Sequence, residues 1–281
     1  LACVSACGKN TVSTTLVLPA SGRSYEVTTA RTHDAKRPAP VLFSLHAYAT
    51  EPGVIDDSLG LAPVAVEQRG YILVTPRGHV DSHGNPFWNA TRACCDAERK
   101  GPDDLGYLRA VLADVRRRYA VDPARVYAVG ISNGGFMAQR WACEPGGDLA
   151  GILSISGVGP GAPDPVCQPS RPITVVQIHG DADDVIRYAG GVLNGYEYPA
   201  VARNVEAWTK LAGCPAAREP ASKEWLEFGL SVVDETWSCA NASVTHWRVR
   251  SGAHNLRLRV PAFTRALERL EALAGRTAAS P

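Results

Sequence analysis

One serine lies inside a run of glycines, "GISNGGF" at residues 130–136, directly after the β-forming stretch "ARVYAVG". A hydroxyl in a Gly-x-Ser-x-Gly setting, behind a strand and ahead of a helix, is the pattern of a nucleophile held on a sharp strand-to-helix turn. Ser132 is therefore the candidate nucleophile, with an ordinary turn as the competing use. A serine hydroxyl attacks poorly at its own pKa, so a histidine must take its proton and a carboxylate must fix that histidine's tautomer. Two later segments offer both, in the order Ser, acid, His that this arrangement requires. "HGDADDVIRY" supplies Asp181, Asp183 and Asp184, and "SGAHN" supplies His254. The residues alone leave the choice among the three aspartates open. A tetrahedral intermediate also needs two N–H donors. The backbone of Asn133 is one candidate; Tyr48 in "LHAYAT" is the second, with Ala47 as its alternative, and the Tyr48 ring would then wall the acyl pocket. Trp88 in "PFWNATRACC" is a candidate second aromatic wall, with core packing as its other use.

Positioning these groups needs a sheet whose strands end at one rim. The runs "PVLFSLHA", "GYILVTP", "RVYAVGI", "LAGILSISG" and "PITVVQIHG" are continuously apolar, as strands buried on both faces are. Between them "DDLGYLRAVLADVRRRY" has Leu105, Leu108, Leu112 and Val115 three and four apart, with Asp103 and Asp104 at the positive end of the helix dipole. Strand alternating with helix predicts an α/β fold with a mostly parallel, doubly wound sheet of about eight strands. Residues 14–30 read as an edge hairpin turning at Ser21-Gly22. Residues 190–243 break the rhythm and read as a helix plus a disulfide-stapled insertion before the last strand, "SVTHWRV". The whole chain, 1–281, is expected to be one domain, with the insertion shaping the rim. Each candidate catalytic loop then follows the carboxyl end of a strand, where ligands bind in open α/β sheets.

Composition narrows the classes. With 45% hydrophobic residues and a net charge of +1, the 281-residue chain suits a packed enzyme domain and offers no global field to nucleic acid. Eight cysteines without a C-x-x-C point to an oxidising compartment rather than zinc or dithiol chemistry. They allow 105 pairings, and a bridge between the neighbours Cys94 and Cys95 is disfavoured by its geometry. The chain opens at Leu1 and has no apolar run of about 20 residues, so no membrane span is expected. The reading is a secreted protein with its signal peptide removed, lipid attachment at Cys3 being a minor alternative. His46 and His179 are read as structural, bonding loop backbones. His79, Asp81 and His83 in "HVDSH" have a metal-like look but lack a further ligand nearby, so no metal and no organic cofactor is expected.

Taken together, "ACGKN", "LHAYAT", "FWNATRACC", "DDLGYLRAVL", "VDPARVYAVGISNGGFMAQRWAC", "IHGDADDVIRY" and "SGAH" resemble the secreted α/β-hydrolases comprising polyhydroxybutyrate depolymerases and feruloyl esterases of the carbohydrate-esterase type. The likeness runs over most of the chain. It implies an α/β-hydrolase fold, a triad of Ser132, Asp183 and His254, a disulfide between Cys214 and Cys239, and ties from Cys94 and Cys95 to cysteines such as Cys143, Cys167 or Cys7. The implied activity is ester hydrolysis through an acyl-enzyme, on hydroxycinnamoyl esters of plant polysaccharide or on poly(hydroxyalkanoate), with aromatic polyesters as incidental substrates. The sequence departs from the family pattern in three places: Ala47 replaces glycine, Arg187 replaces proline, and "HNLRL" replaces the usual His-x-Trp-Pro. A serine peptidase on the same scaffold and an inactive carbohydrate- or polymer-binding protein are the other classes. Amide cleavage usually goes with a larger accessory domain than this chain has room for.

Overall fold

The computed structural model describes residues 10–161, 164, 166–215, 221–227, 229–256 and 258–272, and the readings placed on Cys3 and Cys7 lie outside them. Strands β1 (Thr11–Val17) and β2 (Ser24–Ala30) form the edge hairpin, with Gly22 in the turn at φ 67°. The fully buried β3 (Ala39–Leu45) is followed by the short α1 (Val54–Leu59), a π-helical stretch (Ala62–Glu67) and β4 (Ile72–Pro76). Strands β5 (His79–Val80) and β6 (Pro86–Phe87) pair only with each other. Next comes α2 (Asp104–Arg118), whose cap Asp103 accepts the Gly106 N–H at 2.8 Å. Its neighbour Asp104 turns inward instead, to Arg23 and the Asn89 N–H.

The long β7 (Val121–Ile131) leads through Ser132 into α3 (Asn133–Cys143), then β8 (Gly151–Ile155) and β9 (Thr174–Gly180). A hairpin of β10 (Gly191–Leu193) and β11 (Tyr196–Tyr198), helix α4 (Val201–Leu211), β12 (Ala221–Glu227) and β13 (Leu230–Ser238) occupy the segment that sequence pattern left irregular. The chain returns through β14 (Ser243–Val249) to α5 (Val260–Glu271).

Ten described strands form the main sheet, not about eight, in the order β1-β2-β4-β3-β7-β8-β9-β14-β13-β12. The extra pair is β12–β13, which joins β14 antiparallel. It escaped detection because an inward position of β13 is Asp234, buried and bonded to Arg269 of α5, which interrupts the apolar alternation. The six central strands run parallel, with antiparallel hairpins at both edges. Helices α2, α3 and α4 bury Leu108, Phe136, Met137 and Trp208 against one face. Helices α1 and α5 bury Leu59, Phe263 and Leu267 against the other. Each parallel strand ends at the same rim, so the loops after β3, β7, β8, β9 and β14 converge there.

Cysteine pairing corrects one expectation. Cys143 bonds to Cys167, and Cys94 bonds to its neighbour Cys95 rather than to another element. The tight 91–94 turn, closed by mutual Thr91 and Cys94 backbone bonds, folds the neighbours together, and Cys143 is already taken. Cys214, three residues past α4, bonds to Cys239 after β13. No described helix is long and apolar enough to cross a membrane.

Helix α3 starts hard against two strands. A Cβ at Gly134 would stand 1.9 Å from the Leu45 carbonyl oxygen, and one at Gly130 would stand 2.2 Å from the Gly134 backbone. Both obstacles are backbone and cannot swing aside. Gly134→Ala is expected to destabilise the fold by about 1–3 kcal/mol or more, lowering Tm by on the order of 5 °C, as differential scanning calorimetry would record.

Candidate active site

Ser132 occupies the elbow between β7 and α3 with φ 53° and ψ −118°, a backbone conformation that a non-glycine residue adopts only under constraint. Its N–H donates to the Ile155 carbonyl at 2.8 Å and its own carbonyl accepts the Phe136 N–H at 2.9 Å, so the turn is held from both sides. The N–H groups of Asn133, Gly134 and Gly135 belong to the first helical turn, where no intrahelical acceptor exists. They sit at the positive end of the α3 dipole, beside the Ser132 hydroxyl.

The loop after β14 brings His254 to this point. Its Nε2 lies 2.9 Å from Ser132 Oγ and its Nδ1 lies 2.8 Å from Asp183 Oδ2. Ser156, from the loop after β8, donates its hydroxyl to the His254 carbonyl at 2.9 Å and fixes the His254 backbone from behind. Sequence reasoning missed Ser156, for a serine after a strand carries no distinguishing signal. With Asp183 donorless, Ser132 Oγ–H can give its proton only to Nε2, so Nδ1 must carry the other proton toward the carboxylate.

Of the three candidate aspartates, Asp183 is the one that meets His254. Asp181 is committed to Arg248 Nε at 2.9 Å and the Ser251 N–H at 2.7 Å, while Asp184 is exposed. Asp183 is buried, with Oδ1 accepting the N–H groups of Val185 at 2.9 Å and Ile186 at 2.8 Å. Burial pushes its pKa up, but the hydrogen bonds from His179 and His254, the field of His254 and the Ile186 N–H outweigh that and hold the carboxyl well below the usual range. Arg187, standing where the family pattern has proline, uses the amide that proline lacks: its N–H donates to the Tyr198 hydroxyl at 2.9 Å.

Around the candidate oxyanion site the assignments divide. The Asn133 side chain clasps the Trp88 backbone, accepting its N–H at 2.7 Å and donating to its carbonyl at 2.8 Å. Trp88 is completely buried, with its indole N–H on the His46 carbonyl at 3.0 Å and its ring 4.8 Å from the His46 ring. It therefore does not wall a pocket open to substrate; it is a prop beneath the rim. His46 bonds the Ala47 carbonyl through Nδ1 and accepts the Gly78 N–H through Nε2, both at 2.8 Å. Burial lowers its pKa to about 4, so it stays neutral and serves the backbone, as expected.

Tyr48 is exposed on the loop after β3, its hydroxyl donating to Asp81 Oδ2 at 2.7 Å. Asp81 spends its other oxygen on the His83 and Asn85 N–H groups, and His79 packs edge-on to Phe87, so "HVDSH" is a hairpin that orients Tyr48. Among the described residues no three His, Cys, Asp or Glu side chains come together to hold a metal.

No protein-family profile matches the chain. Curated relatives include NocK of Nocardia uniformis subsp. tsuyamanensis, which carries the name of an esterase, 34% identical over 59% of this chain and 52% of its own length. Feruloyl esterase B of Piromyces equi is 28% identical over 63% of this chain and 33% of its own. The chain thus spans about half or less of these first relatives. Among solved structures, the acetyl xylan esterase from Aspergillus awamori superposes with a TM-score of 0.65 at 12% identity, over 92% of this chain and 98% of that one. The fold is that of the α/β-hydrolases, and the sequence likeness is to feruloyl and other esterases.

A depressed carboxyl pKa has a stability consequence with a definite sign. Asp183 binds its proton less readily when folded than when unfolded, so its contribution is fully present above the unfolded value of about 3.9 and fades as pH falls below it. Asp183→Asn is expected to unfold at lower urea than the wild type at pH 6, with the gap in midpoints narrowing at pH 3, as fluorescence titrations at both pH values would measure.

Proposed function

We propose that this feruloyl-esterase-like α/β-hydrolase is a secreted serine esterase that cleaves carboxylic esters through an acyl-enzyme. The observation that carries the proposal is the unbroken hydrogen-bond chain Ser132 Oγ, His254 Nε2, His254 Nδ1, Asp183 Oδ2, at 2.9 and 2.8 Å.

In the first half-reaction Ser132 Oγ attacks the ester carbonyl carbon while its proton passes to His254 Nε2. Asp183 stabilises the resulting imidazolium and keeps its Nδ1–H in line. The oxyanion that forms is met by the Asn133 backbone N–H at the start of α3 and by a second N–H from the loop after β3, assigned to Tyr48. Collapse expels the alkoxide, which takes the proton from His254. In the second half-reaction His254 removes a proton from water, the hydroxide attacks the acyl carbon, and Ser132 leaves as the alcohol with the acid as product. No step calls on a cofactor.

For the substrate, the reading is a feruloyl or other hydroxycinnamoyl ester on polysaccharide, with poly(hydroxyalkanoate) as the alternative. The name of the Piromyces equi relative, a feruloyl esterase, supports the former, as does the exposed aromatic ring of Tyr48 on the loop after β3. Export is supported by three disulfides among the described residues, which suit an oxidising compartment. The chain is read as one domain throughout, the 190–243 segment flanking the rim.

The deciding experiment assays methyl ferulate, a short p-nitrophenyl ester, a p-nitroanilide, a poly(hydroxybutyrate) film and an aromatic polyester film. Ser132→Ala is expected to lose on the order of 10⁶ in kcat on the preferred ester, Asp183→Asn about 10⁴, and the anilide is expected to be inert. Wild-type protein that hydrolyses none of the esters and resists a fluorophosphonate probe would end the proposal.

A further inference from the structure

His179 is the penultimate residue of β9, fully buried, and takes no part in the reaction as derived above. Its Nε2 lies 2.7 Å from the Ile186 carbonyl and 3.2 Å from Asp183 Oδ2, the same oxygen that receives His254. A carbonyl can only accept, so the ring proton is on Nε2. Nδ1 faces the Gln177 amide nitrogen at 3.5 Å, a donor, which fits the same tautomer. The one N–H is thus shared between a carbonyl and the carboxylate. Ile186 returns its own N–H to Asp183 Oδ1, so imidazole, carbonyl, amide and carboxylate form a closed ring.

Other charged and titratable groups face this ring from neighbouring elements. Tyr188 packs edge-on to His179 at 6.0 Å, and its hydroxyl lies 3.3 Å from His246 Nε2 on β14. His246 Nδ1 meets Glu235 of β13 at 3.3 Å. Arg248 lies over the Tyr188 ring and is neutralised by Asp181. Among the described residues, only the imidazoles of His179 and His254 lie within hydrogen-bonding range of Asp183 Oδ2.

We propose that His179 is a positioning residue that sets how strongly Asp183 holds a proton on His254, a role that rests on the esterase reading. By accepting part of the carboxylate's charge, its N–H weakens the pull of Asp183 on the imidazolium. His254 then remains free to take the Ser132 proton at lower pH. Removing that donor leaves a more basic carboxylate, which favours protonated His254 and raises the pH at which the base becomes available.

The test compares kcat/KM against pH on a p-nitrophenyl ester for wild type, His179→Leu, His179→Gln and Ser132→Ala. Glutamine places an amide N–H near the position of Nε2. In His179→Leu the acid limb is expected to move up by roughly one pH unit, the equivalent of one hydrogen bond to a charged group. His179→Gln is expected to return it to the wild-type position. An acid limb that stays put or moves down in His179→Leu, or that glutamine does not restore, overturns the proposal. Should the leucine variant not fold, ¹⁵N shifts of ring-labelled wild-type protein decide: His179 protonated at Nε2 alone is required, and a ring protonated at Nδ1 overturns it. Full activity in Ser132→Ala would instead overturn the esterase site, and this role with it, which separates the two failures.

Discussion

The whole site depends on one close approach of backbone to backbone. Helix α3 begins where Gly134 meets the carbonyl of Leu45 and Gly130 meets Gly134, at distances that leave no room for a side chain. This contact forces Ser132 into a positive φ, lifts its hydroxyl clear of the sheet and aims the first amides of the helix at the same spot. The candidate nucleophile and the helix dipole beside it are thereby placed by a single packing constraint. The strain at Ser132 is sustained because the surroundings over-determine it: strand β8 holds its N–H and α3 holds its carbonyl.

Around that contact the rim is built by commitment of polar groups to backbone. His46 and Trp88 fasten the loop after β3, Asn133 fastens Trp88, and Ser156 fastens His254. These are neutral hydrogen bonds, buried or partly buried, whose loss would leave a polar group unsatisfied, so each costs more to break than it contributes when made. The carboxylate is the exception, since it is charged and buried. Its four donors, two amides and two imidazoles, are what allow it to stay ionised where water does not reach it.

Much of this was legible in the chain. Continuous apolar runs marked the parallel strands because burial on both faces leaves little room for alternation, and the glycines around Ser132 marked the elbow because only they fit. The order of Ser132, Asp183 and His254 placed three loops at one rim, but choosing Asp183 over Asp181 needed either a family pattern or the sight of Arg248 already holding Asp181. Trp88 misled because an aromatic in a loop has the same composition whether it faces solvent or props a turn. The β12–β13 hairpin stayed hidden because Asp234 is satisfied by Arg269, thirty-five residues on, a partnership that no local pattern records. The Cys94–Cys95 pairing was hidden for a similar reason, since the turn that closes it is defined by backbone bonds.

The parallel docking of β14 on β9 has a bearing on timing. His254 follows the last strand of the chain to lie in the sheet, far along the chain from the elbow. During synthesis the Ser132 hydroxyl is therefore in the chain 122 residues before the imidazole that faces it.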